Sequence, residues 1–186
     1  MDIGAVNYRR FLRGDDDAFI EIIRLYKDGL ILYLESFTHN LDTAEDLMED
    51  TFVKIITKKP DYRPNASFKT WLFAIAGNVA RDWCRKQSKR KTISIDDVAS
   101  DMRSSDNLEQ QYLCEEQQIQ LYRALRQIRA DYAQVLYLVY IEEFKNHQVA
   151  AVMKKSNRQV ENLLYRAKQA LRSELKKDGF IYEGIL

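Results

Sequence analysis

SFKTWLFAIAGNVARDWCRKQSKRK (residues 67–91) carries a helical repeat of apolar residues and turns basic where that repeat stops. At about 100° per residue, Phe68, Leu72, Ile75, Val79 and Trp83 fall within one arc, the geometry of a helix laid on a core. Beside that arc run Trp71, Asn78 and Arg85, spaced by sevens. An aromatic ring, an amide and a guanidinium in one row suit base stacking, base-edge reading and phosphate holding, although a Trp on a helix flank more often belongs to a core. At the basic end Arg81, Arg85, Lys86, Lys89, Arg90 and Lys91 stand against the single acid Asp82. Cations gathered on one helix end point to a polyanionic partner.

Just upstream, KKPDYRPN (residues 58–65) holds both prolines of the chain and predicts a loop. Lys58, Lys59 and Arg63 surround Tyr62 there, a combination that stacks a base and neutralises its phosphate in a single strand. A helix is expected from a Thr43 cap, with Asp46 three residues on, to about Thr57. Its Ala44, Met48, Phe52 and Ile55 face inward, while Asp42, Glu45, Asp46, Glu49 and Asp50 crowd the opposite arc. Like charges at i, i+4 cost a few tenths of a kcal/mol each, a burden that a basic partner relieves and that an ordinary solvated face simply bears. Further back, Asp15, Asp16 and Asp17 precede a core helix over residues 18–37, and residues 8–13 read as a short polar lead-in.

Downstream of Lys91 the periodicity lapses. Residues 92–118 hold seven acids and one base and few large apolar side chains, the composition of a flexible linker. Helical spacing returns at Ile119 and passes through several short helices to a tight turn at residues 154–156, where Ser156 caps a final helix. Val160, Leu163, Leu164, Ala167, Leu171 and Leu175 form its inner face, and Arg158, Gln159, Asn162, Arg166 and Lys168 its outer one. A short helix, a tight turn and a longer polar-faced helix predict a helix-turn-helix, whose second helix enters the major groove. Nine bases against three acids over residues 144–178 support that reading. Arg158, Gln159 and Asn162 are placed for base edges and Lys154, Lys155 and Lys168 for phosphates, while Arg166 suits either role and phosphate better.

The formal net charge of the 186 residues is only +1, but it hides segregation, because residues 15–50 carry eleven acids and two bases. The chain therefore divides into an all-α domain at 1–91, an acidic linker at 92–118 and a second small helical domain at 119–186. Cys84 and Cys114 form no CxxC or Cys/His cluster, so no disulfide framework and no metal site are expected. With no apolar run of about 18 residues and no apolar leader, a cytoplasmic protein is expected. No Glu-x-x-His pair, phosphate-cradling glycine loop or nucleophile constellation stands out, so neither enzymatic activity nor a cofactor is expected, and His39 and His147 read as surface or capping residues.

Together these features resemble the extracytoplasmic-function class of bacterial RNA polymerase sigma factors in the sigma-70 family. AEDLMEDTFVKI (residues 44–55) is similar to the polymerase-binding helix of region two, FKTWLFAIAGNVARDWCRK (68–86) to the helix that engages the −10 element, and VENLLYRAKQALR (160–172) to the region-four helix that reads the −35 element. The resemblance implies polymerase contacts by Asp46, Glu49, Asp50 and Phe52. It implies −10 contacts by Tyr62, Arg63, Phe68, Lys69, Trp71, Asn78, Arg81, Asp82 and Arg85, and −35 contacts by Lys155, Ser156, Asn157, Arg158, Gln159, Asn162, Arg166 and Lys168. The implied partners are core RNA polymerase and promoter DNA, double-stranded at −35 and single-stranded at −10, with an anti-sigma factor as a further candidate. Region four departs from the family where Leu-Pro is replaced by Ile128 and Arg129 and a usual Arg by Ala133. Glu143 and Lys145 stand for a Gly and a Ser, leaving Asn146 as the expected cap, and Lys154 stands for the Gly of the turn, at roughly 1 kcal/mol for a left-handed residue. The competing class is a helix-turn-helix regulator that acts without polymerase docking, as a dimer on a palindrome.

Overall fold

The computed structural model describes residues 2–91 and 120–177, so the acidic linker and Cys114 lie outside the described residues, as do the side chains of Arg90 and Lys91. Apolar residues spaced three and four apart become eight α-helices among the described residues, with no strand. The first half contains α1 (Ile3–Leu12), α2 (Asp16–Thr38), α3 (Leu41–Lys58) and α4 (Phe68–Lys91). The second contains α5 (120–127), α6 (Ala130–Leu136) running into a π-helical turn (Tyr137–Ile141), α7 (Asn146–Met153) and α8 (Asn157–Lys177).

The expected polar lead-in is instead α1. Ala5, Tyr8 and Phe11, three residues apart, are buried, and the charges of Arg9 and Arg10 between them and of Arg13 just beyond conceal the repeat. Asp2 caps this helix by accepting from the Ala5 N–H at 3.1 Å, and its other oxygen accepts from the Phe68 N–H at 2.7 Å. One carboxylate thus satisfies the orphan donors of two helix starts, α1 and α4. The Tyr8 hydroxyl donates to the Pro60 carbonyl at 2.7 Å, which ties the proline loop to the same helix.

Two other caps differ from expectation. Asn40, not Thr43, opens α3, its side chain accepting from the Thr43 N–H at 2.8 Å. His39 adopts a left-handed conformation that ends α2, so the extended Asn40 is delivered straight to the start of α3. Lys145 rather than Asn146 occupies the cap position of α7, where the Gln148 side chain accepts from the Lys145 N–H at 3.0 Å. Asp15 caps α2 through the Ala18 N–H, and Lys154 (φ 55, ψ 47) takes the left-handed turn between α7 and α8.

α4 is covered on more than the one arc its apolar spacing suggests. Phe68 and Leu72 are fully buried while Ile75, Val79 and Trp83 are half-buried; on a neighbouring face Thr70, Phe73, Ala76, Gly77 and Ala80 are buried too. α2 and α3 lie along one side and α7 along the other, so the two halves share a single apolar core.

Candidate polymerase and nucleic-acid interfaces

α3 presents Asp42, Glu45, Asp46, Glu49 and Asp50 to solvent because its opposite face, Ala44, Leu47, Thr51 and Ile55, is buried against its neighbours. Phe52 is corrected from a contact residue to a core residue. It is 4% exposed and meets Phe19 edge-on at 5.9 Å, so it fixes the helix rather than offering a surface. Val53 and Ile56, seven residues beyond Asp46 and Glu49, are exposed on the acidic face instead. Their signal in the sequence is an apolar residue off the inward arc.

In the second surface Phe68 is the hub. It is fully buried, with the rings of Trp71, Tyr62, Tyr8 and Tyr26 at 5.2, 5.5, 5.6 and 5.8 Å, so it too is a support and not a contact. α1 approaches so closely that a Cβ on Gly4 would lie 2.4 Å from the Phe68 ring, which only glycine permits. Tyr62 is half-buried, edge-on to Trp71 at 5.4 Å, and its hydroxyl donates to the Ala66 carbonyl at 2.7 Å. Trp71 is half-buried as well, its ring 5.1 Å from Tyr8, so the row of sevens begins in the support and emerges along α4. An open cleft of about 450 Å³ beside Tyr62 is lined by Tyr8, Arg9, Asp61, Pro64 and Ser67. Arg9 belongs to this surface and no local pattern marks it, because α1 itself was hidden.

Charges along α4 are partly spent within the chain. Arg63 is exposed and pairs with Asp61 at 3.2 Å. Asp82 pairs with Arg85, whose hydrogen bond holds the exposed carboxyl below its usual range. Arg81 donates to Asn78 Oδ1 at 3.0 Å and stands beside the fully buried Tyr33 hydroxyl, which burial pushes up in pKa and Arg81 draws back. Lys69 is paired with Glu142 of the second half at 2.7 Å.

The third surface is the outer face of α8. Ser156 and Gln159 cap the helix reciprocally: the Gln159 N–H donates to Ser156 Oγ at 3.2 Å, and the Ser156 N–H to Gln159 Oε1 at 2.8 Å. That ties the oxygen of the Gln159 amide on a side chain that is otherwise exposed. Asn157, Arg158, Asn162 and Arg166 are exposed, whereas Lys168 lies 5.2 Å from the Tyr140 ring centre. An open cleft of about 280 Å³ joins Lys155, Gln159, Asn162 and Arg166 to Arg129 and Tyr132 of the α6 start. Arg129 stacks 4.9 Å over Tyr132 and pairs with Asp131 of the same cleft at 3.0 Å, so the residue standing in place of the family's proline brings a cation to this face that an acid already balances.

Residues 22–90 match the family Sigma-70 region 2, and residues 118–171 match Sigma-70, region 4. RNA polymerase sigma factor YlaC of Bacillus subtilis is 28% identical over 162 residues, covering 87% of this chain and 94% of that protein. ECF RNA polymerase sigma factor SigM of the same organism is 28% identical over 153 residues, covering 82% and 92%. In fold, the sigma factor RpoE of Bartonella quintana, solved in complex with the anti-sigma factor NepR, superposes with a TM-score of 0.67 at 24% identity, over 85% of this chain and 96% of that one. With both regions present in order, the chain belongs to the sigma-70 family of RNA polymerase sigma factors. Within that family it is a member of the extracytoplasmic-function class. Sigma factors serve as initiation factors rather than as known catalysts, and among the described residues no helix is long and apolar enough to cross a membrane.

Proposed function

We propose that the chain is a cytoplasmic transcription initiation factor that acts by binding alone, docking on core RNA polymerase through the acidic face of α3 and selecting promoters with two DNA surfaces. The observation that carries this reading is the arrangement of three separate surfaces on one chain: five exposed acids on α3, an aromatic cleft at Tyr62 and Tyr8 just ahead of α4 with Arg9 in its wall, and an outward cationic and amide face at the start of α8. A helix-turn-helix regulator has use for the last only.

Core polymerase carries catalytic power but little promoter preference, so a subunit that holds both enzyme and DNA turns weak sequence preference into site choice. Asp46, Glu49 and Asp50, with Val53 and Ile56 among them, suit a basic, partly apolar partner surface. Arg158 and Asn162 project from the first two turns of α8, where a recognition helix meets base edges, while Lys155 and Arg166 stand near enough to neutralise phosphates. Tyr62 and Trp71 offer ring faces to an unpaired −10 base, and Asn78, Arg81 and Arg85 continue the track along α4. Extruding a base costs a few kcal/mol, so capture of an extruded base couples melting to recognition. An anti-sigma factor is a further partner suggested by the Bartonella quintana complex.

Run-off transcription with purified core polymerase tests the reading. The wild-type chain is expected to direct initiation from a cognate promoter, and Asp46→Arg with Asp50→Arg to abolish co-purification with core while leaving the helical circular dichroism unchanged, since both positions are exposed. Wild-type co-purification of the double variant refutes the docking face.

A further inference from the structure

α8 carries two acids, and their surroundings differ. Glu174, toward the C-terminal end, pairs with Lys177 at 2.8 Å. Glu161 is exposed and has no ion pair among the described residues, although Arg158 stands one turn before it. Neither ordinary reason for an acid applies at this place. An acid in the first turn complements the helix dipole, but the first turn of α8 holds none, and Glu161 comes just past it, where that effect has fallen off. An acid four residues ahead of a cation gains a pair along the helix, but four residues after Glu161 stands Tyr165.

The position itself is central. At about 100° per residue Arg158, Glu161, Asn162 and Tyr165 share the middle of the outer face, opposite the buried Val160, Ala167 and Leu171, with Arg166 on one flank and Lys168 on the other. Tyr165 is 67% exposed, more than any other large apolar side chain among the described residues, and it sets an apolar ring one turn beyond the carboxylate. A negative charge in the middle of a face that meets a polyanion weakens its attraction to every phosphate, so it is useful there only if it meets a donor that phosphates do not supply.

We infer that Glu161 is a specificity-determining residue of the −35 surface: its carboxylate accepts from the exocyclic amine of a cytosine in the major groove, and the Tyr165 ring covers that contact against the neighbouring base pair. The inference rests on α8 being the helix that enters the major groove. Guanine and thymine present only acceptors on that edge and repel a carboxylate. Adenine has an amine but sets the N7 acceptor beside it, where the second carboxylate oxygen is repelled, whereas cytosine has the amine without an acceptor of its own next to it. The flanking Arg166 and Lys168 offset the cost in phosphate attraction, which every sequence shares, while the bond to cytosine and the clash of acceptors elsewhere act at one base pair only.

The test is selection by holoenzyme, reconstituted from the full chain and core RNA polymerase, of duplex DNA with a randomised core, followed by competition between the enriched duplex and its single base-pair variants. Wild type is expected to enrich a C·G pair at one position of the upstream element and to prefer it over A·T there by at least about fivefold. Glu161→Gln keeps the shape and adds an amide donor that can meet adenine N7, so it should bring that ratio below about twofold or turn it toward A·T. Glu161→Ala should level the four pairs at that position, and both variants should leave the other positions as they were. Because the site is exposed, both should keep the wild-type helical circular dichroism. Identical profiles in wild type and both variants overturn the inference, as does an effect of Glu161 at a pair other than C·G. A uniform gain on every duplex, scrambled ones included, with the profile unchanged also overturns it, since that is only the removal of a repelling charge. Asn162→Ala in the same selection judges the underlying reading apart: a change at its own position while the Glu161 variants change nothing leaves α8 as the reading helix and removes Glu161 alone, whereas no change in any of the three removes the reading helix itself.

Discussion

Replacing Phe68 with Ala separates support from contact at the −10 surface. The ring is fully buried and has four aromatic neighbours between 5.2 and 5.8 Å, so its removal opens a cavity and deletes four ring pairs at once. Truncation of a buried Phe costs about 3 to 5 kcal/mol, and ring pairs contribute about 0.5 to 1.5 kcal/mol each beyond their buried area, which puts this site in the upper half of that range. Such a loss is a large share of the roughly 5 to 15 kcal/mol that keeps a domain folded. Phe68→Leu keeps most of the apolar volume and should cost about 1 kcal/mol, so it is the variant for DNA binding. Urea unfolding followed by circular dichroism measures both. Tyr62→Ala, at a half-buried ring, should cost less stability than Phe68→Ala yet weaken single-strand binding by holoenzyme more than Phe68→Leu does. If Phe68→Ala costs under about 1.5 kcal/mol while Phe68→Leu abolishes strand binding, the ring touches DNA and the supporting role is wrong.

Asn162→Ala should cost about 1 to 3 kcal/mol on the preferred −35 duplex and little on a scrambled one, whereas Arg166→Ala should weaken both alike and lower the salt slope by about one unit; equal losses for Asn162→Ala in a salt titration would show that α8 holds DNA without reading it. Tyr8 gives an alkaline signature. Burial first, and Asp61 second, raise its pKa from about 10 to about 12, so its contribution is complete below about pH 10 and is lost as pH rises through about 12, where the unfolded chain has already released the proton. Tyr8→Phe should therefore cost about 1 kcal/mol at neutral pH, through the lost bond to Pro60, and flatten the loss of stability between about pH 10 and 12 in urea titrations; an unchanged alkaline slope counts against the buried hydroxyl as its source.

The features that were legible in the residues are those set by neighbours in the chain. The repeats of α2, α3, α4 and α8, the Asp15 and Ser156 caps and the left-handed Lys154 follow from spacing and from side chains within a few residues of the groups they satisfy. The acidic face of α3 was legible for the same reason, since one helix alone decides which arc its charges share. α1 is hidden because Arg9 and Arg10 interrupt the repeat of Ala5, Tyr8 and Phe11 and Arg13 follows it, whereas spacing places Phe52 and Phe68 on inward arcs, as found, and only the resemblance made them contacts.

Tertiary structure alone decided what lies across from each face. Asp2 caps a helix that starts 66 residues later, and Lys69 finds Glu142 73 residues on; no local period encodes such pairs, because they exist only once separate helices have been laid side by side. The sequence by itself therefore determined which helices form and what chemistry each carries, and the burial of α4 from a second side determined which part of that chemistry the folded chain leaves open.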